Sequence, residues 1–562
     1  MFPDDEEYLL WDSEPIPFFM SPAIVKTRAE RYTLVPNVLV KDTYNVRVYN
    51  AISVVGDKDF PLDRAWALQQ IYQSSEFVAD GNGAGGVWQH DKNGHTFKVT
   101  IITKLMMLGV IKFSTLDPSG MGIEMEGGKP GWNDAMNGLP ALIGSGMAET
   151  YEMLRIIRTV KSAVIKYGRA ISFPKEFSDF LTAIGGIIML YNKSDKSPQA
   201  DFEYWEETNL AREKYRLETT VYFSPNTVEI PATKLIILLN AIEMKTNQGI
   251  FRALSTVDNG LSPSYFHYEC VDYGIFPRIN GTIPVPKPIP GTPPALPYSP
   301  KVFCKQFEMN TLPLFLEGSV RHMKTLSDKK QIEDVYERTK ASGMYDKKLQ
   351  MYKLSENLES MGQDVGRMKA FSPGWLENQS IWLHMSYKFY LQLLKGGLYN
   401  QFYEEIAVGL VPFMDNKVYG RSPLEASSFI VSSSFPDKNL HGSSYLARLT
   451  GSTAEMISMW SIMMAGHKPF SVDSKGILTL TLEPILSSWL FTEDGIVSFT
   501  FLGDVLVTYH NPFKVDSWTI STKSAKIYFK DGTSAEYDDA ILKGKVAEKV
   551  RSGFVDSIDI YY

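Results

Sequence analysis

The hydrophobic pattern changes its period once along the chain, near residue 467. That change limits the fold more than any other feature. Before it, apolar residues recur at helical spacing. Over 147–167, Tyr151, Leu154, Ile157, Val160 and Val164 fall on one face, with Arg155, Arg158 and Lys161 between them. Ser145 reads as the N-cap of this helix, and Glu149 and Glu152 suit the positive end of its dipole. The same spacing predicts helices over 176–191, 232–245, 380–394 and 453–465, and a partly exposed helix or helix pair over the highly charged 327–359. After Pro469 apolar residues alternate. The stretches 477–482, 496–502, 505–509, 517–521, 525–529 and 557–562 read as strands, with turns at Glu493-Asp494-Gly495 and Asp531-Gly532. The expected fold is mainly α: a helical body over residues 1–467, then a small β-domain over 468–562. A body of that length must bury many helix faces at once. A toroidal α/α barrel does so, and an α-solenoid shares the same periodicity. Within the body, 276–300 is dense in proline, with Pro284, Pro286, Pro288, Pro290, Pro293, Pro294 and Pro297 among them, which excludes helix and predicts an extended surface loop.

Charge and composition remove several function classes. The 57 basic residues are outnumbered by 64 acidic ones, and without a basic block the chain has no electrostatic footprint for nucleic acid. Two cysteines, Cys270 and Cys304, exclude a disulfide framework and a Cys-based zinc site, and read as core or surface thiols. The acidic start lacks the pattern of a signal peptide, and no apolar run approaches the ~20 residues of a membrane span. The expected location is the cytoplasm, with no membrane partner. Gly81 to Gly86 matches G-x-G-x-x-G without a strand-then-helix unit around it. His90 and His95 flank the turn sequence Asp91-Lys-Asn-Gly, and no third ligand is apparent.

Three stretches are dense in side chains that grip sugars or anions. The first, 122–150, has too many glycines for one helix. It holds Glu124, Glu126, Trp132, Asn133, Asp134 and Asn137. Small residues let backbone approach a ligand, amides and carboxylates hold vicinal hydroxyls, and an indole stacks on a sugar face. An irregular loop capped by Asn and Asp is the commoner fate of such a stretch, but this concentration favours a site. The second runs from Trp375 to Lys388. On a helix, His384 and Lys388 share a face and together suit an anion, although a lone histidine is more often structural. The third spans Tyr419 to Glu425 and His441 to Thr453. Thr450-Gly451-Ser452-Thr453 opens a helix, where free N–H groups and hydroxyls bind anions and where Ser/Thr caps are also common.

Gly131-Trp-Asn-Asp134-Ala-Met-Asn-Gly resembles the general-acid motif of the cellobiose phosphorylase family and its relatives, glycoside hydrolase family 94 and the neighbouring β-glucan phosphorylases. The second and third clusters resemble that family's histidine-bearing helix and Thr-Gly phosphate loop, in the same order along the chain. The likeness covers roughly residues 60–465. It implies an (α/α)6 barrel followed by a small β-sandwich or jelly-roll-like domain. It implies inverting phosphorolysis of β-1,2- or β-1,3-linked gluco-oligosaccharides to α-glucose 1-phosphate. By resemblance Asp134 is the general acid, and His384, Thr450, Gly451 and Ser452 hold phosphate. Arg421, Arg448 and His441 are added to the phosphate group from charge and placement alone. Trp132, Asn133, Asn137 and Glu126 are expected to line the sugar subsites.

The implied chemistry needs one acid and a cradle, because phosphate is already a nucleophile, whereas an inverting hydrolase also needs a base to activate water. Asp134 must then be protonated at working pH, which a desolvated cleft favours. Inorganic phosphate is the co-substrate, and no metal or organic cofactor is required. A hydrolase on the same barrel would use Glu377 or Glu425 as base, and a non-catalytic glucan-binding fragment is the third reading. Family members carry a β-sandwich and a helical linker before the barrel. Here the barrel-like part begins near Met1, and Arg28, Arg31 and Asp42 stand in weakly for the donor-gripping motif. The expectation is a fragment, half of a split enzyme or a reduced relative, partnered by a second copy or by a complementing N-terminal subunit.

Overall fold

The computed structural model describes residues 2–20, 23–25, 32–35, 38–41, 46–48, 78–79, 85–125, 143–219, 222–275, 302–362, 367–447 and 450–562. The proline-rich stretch 276–300 lies outside them, as do Arg28, Arg31, Asp42 and residues 80–84 of the glycine motif. The fold is mixed α/β with 44% helix, which corrects the mainly α expectation, and no barrel or toroid is identified among the described residues. The cause lies in the connections. Most strands between helices are two to four residues long, too short for any periodicity to register, and they pair into small sheets; the exceptions are the long strands Tyr265–Ile275 and Val302–Thr311.

The main helices are α1 (Ile101–Phe113), α2 (Met147–Tyr167), α3 (Lys175–Lys193), α4 (Pro198–Thr219), α5 (Ala232–Leu254), α6 (Leu316–Met323), α7 (Lys329–Ala341), α8 (Leu383–Lys395), α9 (Tyr399–Gly409), α10 (Thr450–Ala465) and α11 (Lys545–Arg551). In α2 the predicted stripe of Tyr151, Leu154, Ile157, Val160 and Val164 is buried. Its N-cap is Gly146, not Ser145, because the Ser145 hydroxyl donates instead to Asp117 Oδ2 at 2.7 Å. The helix ends at Gly168, whose φ of 65° suits a residue without a β-carbon. The predicted helix over 327–359 stops at Ala341. Beyond Ser342-Gly343 the chain makes a small hairpin, pairing Tyr345–Asp346 with Met351–Tyr352. None of the described helices is long and apolar enough to cross a membrane.

The labelled strands are β1 (Ile123–Glu124), β2 (Ile143–Gly146), β3 (Tyr265–Ile275), β4 (Val302–Thr311), β5 (Ile381–Trp382), β6 (Ser427–Ile430) and β7 (Ser444–Ala447). After α10 come β8 (Phe470–Val472), β9 (Leu478–Thr481), β10 (Ile496–Phe501), β11 (Val505–His510), β12 (Ser524–Phe529), β13 (Ser534–Tyr537), β14 (Ile541–Lys543) and β15 (Val555–Tyr561). The C-terminal strands form a five-stranded sheet, β10-β11-β15-β12-β13, and a three-stranded sheet, β8-β9-β14. In the larger sheet β11 and β15 run parallel. The stretch 517–521, expected as a strand, holds a single 3₁₀ turn at Ser517–Thr519. Polar bonds to the distant segment 484–488 hold it there: Ser517 Oγ donates to Pro484 O at 2.6 Å, and the neighbouring Asp516 accepts from Ser488 N at 2.7 Å.

Helix gives way to strand between Ala465 and Phe470, beside the boundary read from the sequence. The apolar core ignores that boundary. One buried cluster runs from Leu261 through α6, α8, α9 and α10 into β9, β11, β12 and β15. Buried tyrosines tie the two parts: Tyr403 on α9 donates to Ile485 O and Tyr509 on β11 donates to Met464 O, each at 2.6 Å. A second core joins α1 to α5 with Trp11 and Phe97.

Four helices pack side by side and run the same way. Glu152 of α2 binds Arg321 and Lys324 of α6, and further along Arg158 of α2 donates to Thr325 O at 2.7 Å. The position thus advances along both helices together, which makes them parallel. Helix α6 packs on α8, and the two start at one place, where Leu354 O accepts from Leu316 N and Leu354 N donates to Ser380 O; α8 packs in turn on α10. In the last pair His384 meets Gly451 and Lys388 meets Glu455, again advancing together. Helix α5 lies antiparallel to α2, with Arg158 to Glu243 at 2.7 Å and Lys161 to Asn240 at 3.2 Å.

Candidate functional site

A small sheet explains why two distant motifs meet. Strands β5 and β7 both pair antiparallel with the central β6, so they run parallel to each other. Ile381 and Ser444 share Ile430 as partner, and Trp382 and Tyr445 share Phe429. Each outer strand feeds a helix: β5 enters α8 directly, and β7 precedes α10 by two residues. His384 is the second residue of α8 and Gly451 the second of α10. A β-carbon at position 451 would stand 2.6 Å from Cδ2 and Nε2 of the His384 ring. The ring therefore occupies the space that a side chain at 451 would need. Ser452 is fully buried in the same turn. Lys388 lies one turn beyond His384 and is bound to Glu455 at 3.3 Å, so its charge is already partnered within the protein.

Burial, reinforced by the positive charges of Lys388 and Arg321, holds the His384 pKa down to about 4, against a weaker opposing pull from Glu455. At neutral pH the ring is uncharged. A neutral imidazole can offer an anion a hydrogen-bond donor, but no charge. The positive field there comes from the first turns of the helices, since Arg321, like Lys388, is already paired with carboxylates.

The parallel neighbours α2 and α6 begin at the same end of this group and carry buried carboxylates in their first turns. Glu317, 1% exposed, accepts from Tyr265 Oη at 3.2 Å and from Arg321 Nε at 3.2 Å. Glu149 lies within electrostatic reach of Glu317, and burial together with that negative charge raises its pKa. Its buried Oε2 has no hydrogen-bond partner among the described residues.

Asp134, Trp132, Asn133, Asn137 and Glu126 lie in 126–142, outside the described residues. Both ends of that segment are described. Strands β1 and β2 pair Ile123 with Gly146 and Glu124 with Ser145, so 126–142 is the connection of a hairpin. Its base is fastened by polar bonds. Asp117 accepts from Met121 N at 2.9 Å, Gly122 N at 2.7 Å and Ser145 Oγ at 2.7 Å. Trp205 Nε1 donates to Glu124 at 2.5 Å. Strand β2 passes straight into α2, which places Glu149 three residues after the hairpin ends.

Of the added cationic residues, Arg448 lies outside the described residues, as does the side chain of Thr450. Arg421 is paired with Glu425 at 3.1 Å. His441 uses both ring nitrogens inside the protein, Nδ1 with Lys348 Nζ at 2.7 Å and Nε2 with Phe435 O at 2.8 Å, so it serves here as a brace. Glu377 is 7% exposed in the irregular segment before β5. There Leu376 and Gln379 have φ of 48° and 61°, and Trp382 Nε1 donates to Leu376 O at 2.9 Å. Backbone strain of this kind persists where surrounding contacts over-determine it.

The sequence reading did not single out Glu317 or Arg321, and treated Glu149 only as a helix-dipole partner. The available signal was an i,i+4 Glu–Arg pair at the start of a short helix among apolar residues. No protein-family model matches the chain, and no curated protein matches it.

Proposed function

We propose that this chain is an inverting glycoside phosphorylase that cleaves β-1,3- or β-1,2-linked gluco-oligosaccharides with inorganic phosphate, releasing α-glucose 1-phosphate. The observation that carries the reading is the seating of the uncharged His384 ring on Gly451, at the first turn of α10. A helix N-terminus beside a neutral imidazole donor suits a tetrahedral oxyanion. In this reading phosphate is held by His384, Ser452 and the N–H groups of 450–452, and faces the hairpin connection 126–142. Asp134 on that connection protonates the glycosidic oxygen as phosphate attacks the anomeric carbon from the opposite side. The parallel helices α2, α6, α8 and α10 then belong to the inner ring of an (α/α)6 barrel, with a β-sandwich formed by the C-terminal sheets. The protein would work in the cytoplasm without metal or organic cofactor, as a dimer or with a complementing subunit.

The test is incubation with β-1,2- and β-1,3-gluco-oligosaccharides, with and without phosphate, assayed for glucose 1-phosphate. Asp134→Asn is expected to abolish phosphorolysis while sparing oligosaccharide binding, and undiminished turnover by that variant would refute the acid assignment. The burial of Glu377 keeps a second reading in view, hydrolysis with Glu377 as base ~6.5–9.5 Å from the acid. Sugar release that needs no phosphate would select it.

A further inference from the structure

The two cysteines of the chain stand on neighbouring strands, Cys270 on β3 and Cys304 on β4. These strands pair regularly from Phe266↔Thr311 to Cys270↔Phe307, and again from Tyr273↔Cys304 to Ile275↔Val302. Between the two runs the register shifts twice, and Val271 and Lys305 drop out of the ladder. In a regular ladder three residues of offset separate side chains by ~10 Å. A bulge on each strand shortens and re-aims that stretch. The outcome is a hydrogen bond between the two thiol side chains. Cys270 Sγ also lies 3.1 Å from Asp272 O. Both cysteines are thiols and both are half-buried, within reach of a small reagent.

We propose that Cys270 and Cys304 form a reversible dithiol–disulfide pair that cross-links the β3–β4 hairpin at its double bulge. The oxidant is a low-molecular-weight disulfide. The Cys270 thiolate attacks one sulfur of that disulfide and expels the other as a thiolate. The Cys304 thiolate then attacks Cys270 Sγ and expels the second half. Two protein thiols and one external disulfide become one protein disulfide and two external thiols, and the two protein protons end on the released thiols. Cys270 is the attacking group because the Cys304 hydrogen bond and the Lys305 N–H hold its thiol below the ordinary value, more than burial raises it. The cross-link bears on the rest of the molecule through β3. That strand pairs with β2 up to Tyr268↔Ile143, and β2 ends the 126–142 connection.

The experiment uses the full chain, reduced and then incubated with glutathione disulfide. Thiols are counted by maleimide labelling after denaturation, and the products are mapped as non-reduced peptides. The expected result is simultaneous loss of both thiols, a chain lighter by two hydrogens, one intrachain Cys270–Cys304 peptide, and full recovery with dithiothreitol. Cys304→Ser should instead accumulate glutathione on Cys270, since no second thiol resolves it. A wild-type chain that retains glutathione on one cysteine, keeps both thiols, or cross-links only between chains would overturn the proposal. That arm needs no variant to fold.

Discussion

The imidazole of His384 lies against the backbone of Gly451, with ring atoms Cδ2 and Nε2 only 2.6 Å from where a β-carbon on residue 451 would stand. The two residues are 67 positions apart in sequence. They meet because parallel outer strands of one three-stranded sheet aim their following helices in the same direction.

Gly451→Ala is expected to destabilise the protein by about 1–3 kcal/mol, the usual cost of overpacking a filled site. In a His384→Ala background the same change should stabilise by about 0.5–1 kcal/mol, because alanine is the better helix former once the ring is gone. Chemical denaturation of the four proteins in this cycle measures the coupling. Additive effects would show that the ring does not rest on residue 451.

His384 has its pKa lowered from 6.5 to about 4 by burial and by Lys388 and Arg321. The unfolded chain therefore binds this proton first. The His384 contribution to stability is complete above pH 6.5 and is lost as pH falls towards 4. NMR titration should find this ring still neutral at pH 6, its signal assigned by its disappearance in His384→Gln. Titration near the ordinary value would remove the buried cradle. If the phosphorolytic reading holds, His384→Ala raises the KM for phosphate at least tenfold, by loss of about 1.4 kcal/mol or more of charge-assisted bonding, and alters the oligosaccharide KM little.

Glu149 behaves in the opposite sense. Its pKa is raised above 4.5 by burial and by Glu317, so folding favours the protonated form. Its contribution is intact below pH 4.5 and is lost as pH rises through the folded-state value. Glu149→Gln should match wild type in acid and gain on the order of 1 kcal/mol at neutral pH, the scale of relieving a buried unpaired polar group. Urea midpoints measured against pH decide this. A variant less stable than wild type at neutral pH would mean that the charge is compensated.

A chain cut after residue 467 should not fold cooperatively. It would strip β9, β11, β12 and β15 from the core they share with α8, α9 and α10, and leave the Tyr403 hydroxyl without Ile485 O. Thermal melting by circular dichroism and dye binding to exposed apolar surface test this, and a sharp melt of the truncated chain would contradict it.

Helix α2 was legible residue by residue, because five apolar side chains at 3.6-residue spacing admit one buried face. Five of the six strands expected after Pro469 were legible for the same reason at a period of two. The sixth failed where hydroxyls and Asp516 offered the backbone other partners. Short strands such as β5 and β7 left no periodic trace, and with them the mixed character of the body was hidden. At the candidate site, the shared face of His384 and Lys388 was readable from one helix. That Lys388 is spent on Glu455, and His441 on Lys348 and Phe435, was not readable, because those partners come from other elements.

By itself the sequence determined the local elements and the chemical inventory: which faces are apolar, where the period changes, and which stretches carry imidazole, carboxylate and glycine together. Those properties depend on neighbours within a few residues. The tertiary structure alone decided that α8 and α10 start side by side, that Glu149 is buried near Glu317, and that one core spans residue 467. Burial, charge compensation and pKa depend on what approaches through space from distant parts of the chain, and no local spacing encodes that.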